Sequence, residues 1–269
     1  MNDLFQTYVS ALPGMWMMDT ARYLVAATVM ATILVVFWRA GLAARKLQTR
    51  HATGRDIRRE VVTSLRSALI FALLGTAVFV AARRGWFTIY EDFHAAGPLY
   101  LGLSLVAMLV AHDTYFYWTH RAMHHRRLFA LFHRTHHLSR TPTPWAAYSF
   151  AIPEAFVQGA FVPLFLALVP MHGLAVFIFM VIQIGRNVMG HAGTEVHPAV
   201  FGPGRWLGWN NTTTHHDLHH ETGCYNYGLY FRWWDKLMGT EHPDYRRKFE
   251  SLAAPSSPSP APAGIEVRS

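Results

Sequence analysis

Long apolar stretches alternate with short polar connections along most of the chain, and their lengths set the first expectation. Residues 23–41, 65–82 and 98–118 form three such stretches, and residues 155–189 form a fourth that is long enough for a pair. Each single stretch approaches the roughly 20 residues that a helix needs to cross the hydrocarbon core of a bilayer. Pro163, Pro170 and Gly173 interrupt the fourth, which predicts a hairpin that enters the membrane, turns near residues 170–173 and returns. A buried core helix is the alternative for any one stretch, the short 65–82 above all, but several in succession argue against a water-soluble fold. The segment before the first stretch lacks the basic region, short apolar core and small-residue cleavage site of a secretory signal, and is expected to lie on the membrane. From about residue 253 the sequence turns to Pro, Ser and Ala without apolar periodicity, so 253–269 is predicted to be a disordered tail and 1–252 a single membrane-embedded domain.

Composition sharpens this reading. Of the 269 residues 52% are hydrophobic and only 15% charged, which is too little charge for an ordinary soluble globule. The formal charge of +8 is concentrated in connections beside the apolar stretches, a pattern that orients membrane proteins and gives no ground for a nucleic-acid partner. Arg45, Lys46, Arg50, Arg55, Arg58 and Arg59 lie between the first two stretches, whereas the segment before Arg22 carries Asp3 and Asp19 and no basic residue. That asymmetry places the first connection in the cytoplasm. Two further crossings return the chain there with Arg121, Arg126, Arg127, Arg134 and Arg140; only Arg83 and Arg84 run against the rule. Cys224 is the single cysteine, which excludes an intramolecular disulfide framework.

The chemistry-bearing residues are histidines, 17 in all, most of them in three groups: His120-Arg-Ala-Met-His124, His133-Arg-Thr-His136-His137 and His216-Asp-Leu-His219-His220. At about 100° per helical residue, His120 and His124 share a face, and His133, His136 and His137 fall within one arc. Such spacing lets imidazoles converge on metal, and so many of them exceed the capacity of one ion, so two metals are expected. His215, four residues before His219, is a candidate for the same face. His191 follows the returning hairpin and would reach the same surface, with a non-ligating histidine as the alternative. Asp113 and Tyr117 extend the His120 stripe backward, and Asp113 is expected to accept an N–H from a ligating imidazole, with Arg121 as its alternative partner. His51, His94, His172 and His242 lie outside these patterns. Imidazole alone does not choose among iron, zinc, copper and nickel.

These motifs resemble the sterol desaturase and fatty acid hydroxylase superfamily of histidine-rich membrane di-iron oxygenases. The resemblance runs from about Asp113 to Thr240 and rests on HxxxH, HxxHH and HxxHH in order, on Asp113-Thr-Tyr-Phe-Tyr-Trp-Thr-His-Arg121, and on Pro142-Thr-Pro-Trp-Ala-Ala147, which is similar to sterol C5-desaturases. The later His215-His-Asp-Leu-His-His220, Asn226-Tyr-Gly228 and Trp234-Asp-Lys-Leu-Met-Gly-Thr240 are similar to sterol C4-methyl oxidases, and Thr194-Glu-Val-His197 departs from the sterol enzymes. The resemblance implies an all-α integral membrane bundle of four to five spanning or re-entrant helices under a cytoplasmic helical cap. It also implies two iron ions held by His120, His124, His133, His136, His137, His191, His216, His219 and His220, with His215 at a less constant position.

The implied reaction is O2-dependent hydroxylation or desaturation of a sterol, fatty-acyl or related membrane lipid, with Trp145, Tyr148 and Phe150 as candidates to line the lipid groove and core packing as their alternative. Two electrons are required and the chain holds no dinucleotide-binding or cysteine-cluster motif, so a separate ferredoxin or cytochrome b5-type donor with its reductase is expected. Two rivals from other classes are a zinc-dependent membrane lipid hydrolase, which needs an open zinc site and a general base, and a metal transporter, which needs ligands within the membrane. Compactness, low cysteine use and the lack of a retrieval ending favour the inner membrane of a bacterium.

Overall fold

A computed structural model describes residues 2–253, and the tail expected at 253–269 lies, apart from Ala253, outside the described residues. The order of elements follows the apolar stretches: α1 (Asn2–Val36), α2 (Gly54–Arg83), β1 (Ile89–Tyr90), α3 (Gly97–Met123), α4 (Phe129–Phe132), α5 (Arg134–His137), α6 (Ile152–Gly159), α7 (Phe161–Leu166), β2 (Met171–His172), α8 (Gly173–Gly190), α9 (Thr213–Thr222), α10 (Trp233–Leu237) and α11 (Tyr245–Ala253). Four helices, α1, α2, α3 and α8, are long and apolar enough to cross a membrane, and α6 with α7 makes a shorter apolar pair. Their outward faces carry large uncovered apolar side chains, among them Val25, Val29, Leu99, Leu103, Val106 and Phe177, as a surface solvated by lipid requires.

The N-terminal segment does not lie on the membrane as a separate element. It continues the first apolar stretch as one helix from Asn2, because the only charges along it beyond Asp3 in the first turn, Asp19 and Arg22, stand one turn apart and pair at 2.5 Å. The same helix ends at Val36, short of the expected residue 41, where the chain turns through Gly41 at φ 124°. Helix α2 starts at a capping box in which the Thr53 hydroxyl accepts from Asp56 N and the Asp56 carboxylate accepts from Thr53 N.

Pairing of α1 with α2 sets the two ends of the bundle. At one end Arg84 meets Asp3 at 2.7 Å, and β1 runs parallel to β2 through Ile89–Met171 and Tyr90–His172, tying the turn of the expected hairpin to the α2–α3 connection. At the other end the connection after α1 lies along the histidine-bearing segments: Glu195 N donates to Arg45 O, Leu47 N to Gly193 O, and the Gln48 amide to Asp217 Oδ1 at 2.8 Å. Midway, Trp145 O accepts from both Tyr23 Oη and Ser64 Oγ at 2.9 Å, so residues 144–148 are pinned between α1 and α2.

The cap is irregular and is held by buried carboxylates. Asp113 accepts from Tyr230 N at 2.7 Å and Phe231 N at 3.2 Å, while Asp235 accepts from Tyr227 N and Gly228 N at 2.8 Å, so two acids fasten one loop. At Gly228 a Cβ would stand 2.5 Å from Phe231 O and 3.0 Å from Asp235 Oδ2, so the loop closes only on glycine. Gly228→Ala should therefore cost about 1–3 kcal/mol and lower the melting temperature of the metal-free protein by several degrees. Gly102→Ala, whose Cβ would meet nothing within 4 Å on α3, should leave it unchanged or raise it, and thermal melts in one detergent compare the two.

Candidate metal centre

Nine histidines meet at the cap end in two groups, each with its ligating nitrogens within 4.8 Å of one another: His120, His124, His133, His137 and His219 in one, and His136, His191, His216 and His220 in the other. The division follows from helical geometry. Residues four apart differ by about 40° around a helix, whereas adjacent residues differ by about 100°. His120/His124 and His133/His137 are i,i+4 pairs that enter the first group, and His216/His220 is the pair that enters the second. His136 and His219, each next to a paired histidine, point to the opposite group. Each HxxHH motif thus spans both groups, and the single arc expected for His133, His136 and His137 is divided between them.

Ring orientation is fixed from behind. His120 Nδ1 donates to Tyr227 O at 2.8 Å, His219 Nδ1 to Tyr225 O at 2.7 Å, His191 Nδ1 to Asn187 O at 2.7 Å, and His133 Nδ1 to Glu154 Oε1 at 2.6 Å. A neutral imidazole whose Nδ1 carries the proton has only a lone pair at Nε2. Yet His120 Nε2 and His133 Nε2 stand 2.9 Å apart, and His191 Nε2 lies 3.0 Å from His216 Nε2 and 3.2 Å from His136 and His220. His219 Nε2 is likewise 3.0 Å from His137 Nε2 and 3.2 Å from His124 Nε2. Between His120 and His133, both with Nδ1 engaged, the contact joins two lone pairs and is repulsive, and a cation at the centre of each group would turn such contacts into ligation. With metal–nitrogen bonds of about 2.0–2.1 Å, ligands at right angles stand about 3.0 Å apart and tetrahedral ones about 3.4 Å. The shortest separations in both groups are within reach of one ion.

Burial also prepares the rings. It lowers the His137 and His124 imidazoles to about 3 and His191 to about 4, and it holds His133, His136, His216, His219 and His220 well below the ordinary histidine value, with neighbouring imidazoles adding to the effect. All are neutral at pH 7, the state that metal requires.

Other candidates fall differently. His215 joins neither group: it is buried behind α9 with Nε2 3.5 Å from Asp235 Oδ2 and its ring edge-on to Tyr245, because its neighbour His216 takes the metal-facing side. Asp113 accepts backbone N–H groups rather than an imidazole; it acts two links away, by holding the loop whose Tyr227 carbonyl orients His120. The carboxylate that accepts an N–H from a clustered imidazole is Glu154, and an acid directly before the apolar run 155–189 was the signal for it, since a carboxylate at the edge of a membrane segment is costly unless used. Glu195 is the other missed acid. Its Oε2 accepts from Thr214 N and Thr214 Oγ1 at the start of α9, and its Oε1 from His197 N and Nδ1. Burial raises its pKa, but these donors hold it below the ordinary value.

A cavity of about 480 Å³ lies within the bundle between α1, α2, α3, α6, α7 and α8. Tyr148 and Phe150 line it, while Trp145 packs edge-on against Tyr23 outside it. Phe150 lies 5.4 Å from the His136 ring and Phe116 5.0 Å from the His120 ring, so apolar walls reach both groups.

Residues 105–240 match the fatty acid hydroxylase family. The chain is 29% identical over 191 residues to lathosterol oxidase of Rattus norvegicus, covering 70% of this chain and 62% of that protein. It is 33% identical over 187 residues to the Delta(7)-sterol 5(6)-desaturase ERG3B of Gibberella zeae, covering 69% and 56%. With erg3B of Aspergillus fumigatus, also a Delta(7)-sterol 5(6)-desaturase, identity is 27% over 256 residues, covering 93% and 70%. The chain thus spans less than two thirds of the length of the first two of these relatives. No solved structure matches.

Loss of one ligand should empty one group and spare its neighbour. Metal analysis of protein purified from iron-supplemented cells should give two ions per chain, about one for His124→Ala or His220→Ala, and two for His215→Ala. In the stripped protein the depressed imidazoles run the other way: the unfolded chain takes up protons below about pH 6.5 and the folded chain does not. Stability should therefore fall as pH drops from 7.5 to 5.5, by up to about 1.4 kcal/mol per pH unit for each buried ring, and calorimetry across that range checks the sign.

Proposed function

Because this chain belongs to the fatty acid hydroxylase family, we propose that it is an iron- and O2-dependent oxidoreductase that desaturates or hydroxylates a membrane lipid of the sterol class. The observation that carries the reading is the pair of imidazole groups set against Phe116 and Phe150, two walls of an apolar cavity within the bundle. Iron ions bound there would supply the change of oxidation state that activates O2, which zinc lacks. The redox balance is the same for either outcome in its demand on electrons: R–H + O2 + 2e⁻ + 2H⁺ gives R–OH + H2O, and H–C–C–H + O2 + 2e⁻ + 2H⁺ gives C=C + 2H2O.

The residues of this chain supply the rest. Tyr227 O, Tyr225 O, Asn187 O and Glu154 fix the rings, and Phe116 and Phe150 hold an apolar substrate against the metal layer while keeping bulk water away. Ligands gathered at one end of the bundle, rather than strung through it, are at odds with a transport path. The basic connections at residues 45–59 and 121–140 share that end, so the cap faces the cytoplasm.

Electrons arrive from a separate donor. A surface hollow of about 550 Å³ has His137 and His220, one from each group, on its floor and Arg50, Arg134 and Arg140 around it. An acidic ferredoxin or cytochrome b5-type protein docks on that rim.

The test is turnover with lathosterol-type sterols in nanodiscs together with Mössbauer spectroscopy. Coupled iron and an O2-dependent product support the reading; one reproducible zinc and no O2 uptake sink it. Arg134→Glu with Arg140→Glu should raise the KM for an acidic donor about tenfold at low ionic strength and leave dithionite-driven turnover unchanged. Equal loss with both reductants would remove the rim from the electron path.

A further inference from the structure

The cavity is not uniformly apolar. Midway along the bundle Asp19 and Arg22 of α1 turn into it, Asp19 only 4% exposed, and the Arg22 Nε–H is buried without a partner among the described residues. Gln158 of α6 brings its amide to the same cavity, and neither its Nε2 nor its Oε1 has a partner among the described residues. Gln183 of α8 is engaged on one side, its Oε1 accepting from Tyr148 Oη at 2.8 Å. Polar groups at this depth are costly, and an unpaired buried polar group costs about 1–3 kcal/mol, so three unpaired atoms on Arg22 and Gln158 around one apolar space call for a ligand atom.

Their depth relative to the metals follows from the helices. Gln183 stands four residues before Asn187, whose carbonyl orients His191, and Gln158 four residues after Glu154, which orients His133. Both glutamines therefore lie one turn, about 6 Å, on the membrane side of the groups that fix the ligands. The charge of Arg22 is already met by Asp19 at 2.5 Å, so a carboxylate or phosphate ligand would face that acid as a like charge. The free capacities are an N–H from Arg22, an N–H from Gln158 and a carbonyl oxygen from Gln158. A hydroxyl, which accepts and donates at once, satisfies them.

We propose that Gln158, with Arg22 and Gln183, forms a hydroxyl-binding belt inside the cavity that anchors a neutral lipid alcohol about one helical turn from the metal layer. The carbon presented for oxidation then lies a few bonds from that hydroxyl, and the remaining apolar body extends away from it. This inference rests on the reading of the cavity as the lipid site.

The experiment measures equilibrium binding of tritiated 5α-cholestan-3β-ol and of 5α-cholestane, which differ only in the hydroxyl, to the iron-loaded full chain in nanodiscs. Wild type should prefer the alcohol by about tenfold. Gln158→Leu should reduce the preference to less than about threefold with cholestane affinity unchanged, and Gln183→Leu should reduce it partly. Gln158→Leu should also raise the melting temperature of the ligand-free protein, because it removes an unpaired amide; a merely structural glutamine would lower it. Equal affinity of wild type for both probes, or a preference that survives Gln158→Leu, overturns the belt and leaves the lipid site standing. Binding of neither probe while iron is retained overturns the belt together with the cavity's role, independently of the metal centre.

Discussion

Repulsion between nitrogen lone pairs is the constraint on which this structure turns. Nine imidazoles are brought to Nε2 separations of about 3 Å, and in four of them, His120, His133, His191 and His219, the Nδ1 proton is committed to an acceptor behind the ring, so that a positive charge between the Nε2 lone pairs is what would hold them together. Everything that surrounds them serves to keep the protons on the far side. Carbonyls of Tyr225, Tyr227 and Asn187 and the Glu154 carboxylate each take one N–H, and the loop that carries two of those carbonyls is itself fastened by Asp113 and Asp235. A chain of buried polar contacts thus runs from the end of the bundle to the metal positions, and none of its members is a ligand.

The same constraint explains the division of labour between bundle and cap. Membrane helices must satisfy their backbone internally, which leaves them regular and unable to bend side chains toward a point from every direction. The short α4, α5 and α9 and the loop at residues 223–231 are free of that demand because they lie beyond the long apolar spans. They carry His133, His136, His137, His216, His219 and His220, while the bundle contributes only the ends of α3 and α8, with His120, His124 and His191. The cap's turning chain is what makes a two-centre site geometrically attainable.

Much of this was legible in the sequence, because periodicity and ligand spacing are local. The stretches at 65–82 and 98–118 fall inside α2 and α3, the hairpin turns at residues 171–172, and nine of the ten proposed ligands converge. What was not legible depends on contacts between distant segments. Nothing local distinguishes His215 from His216; the rotation of α9 that buries the former is set by Glu195 capping Thr214 from about 19 residues away, consistent with an anchored helix start. Asp113 sits on the His120 stripe as the helical angle requires, but its partners arrive from residues 230 and 231. The length of α1 was missed because Asp19 and Arg22 read singly as breaks in an apolar run, whereas as a pair they are neutral.

That pair also shows why charge inside a membrane protein should be read by its neighbours rather than by its count. Asp19 and Arg22 neutralise one another, so they pass as part of a spanning helix, yet their remaining hydrogen-bond capacity points into the cavity beside Gln158. An apolar substitution of the pair would suit the bilayer better, since a buried ion pair is rarely more stable than well-packed hydrophobic residues. Its presence in the same cavity as Gln158 and Gln183, which stand one turn from the residues that orient His133 and His191, is accounted for if the cavity must fix the rotation of a ligand as well as enclose it. An apolar wall discriminates by volume and lets a rigid hydrocarbon slide along its axis; a directed polar contact removes that freedom, and oxidation at one carbon rather than its neighbour needs it removed.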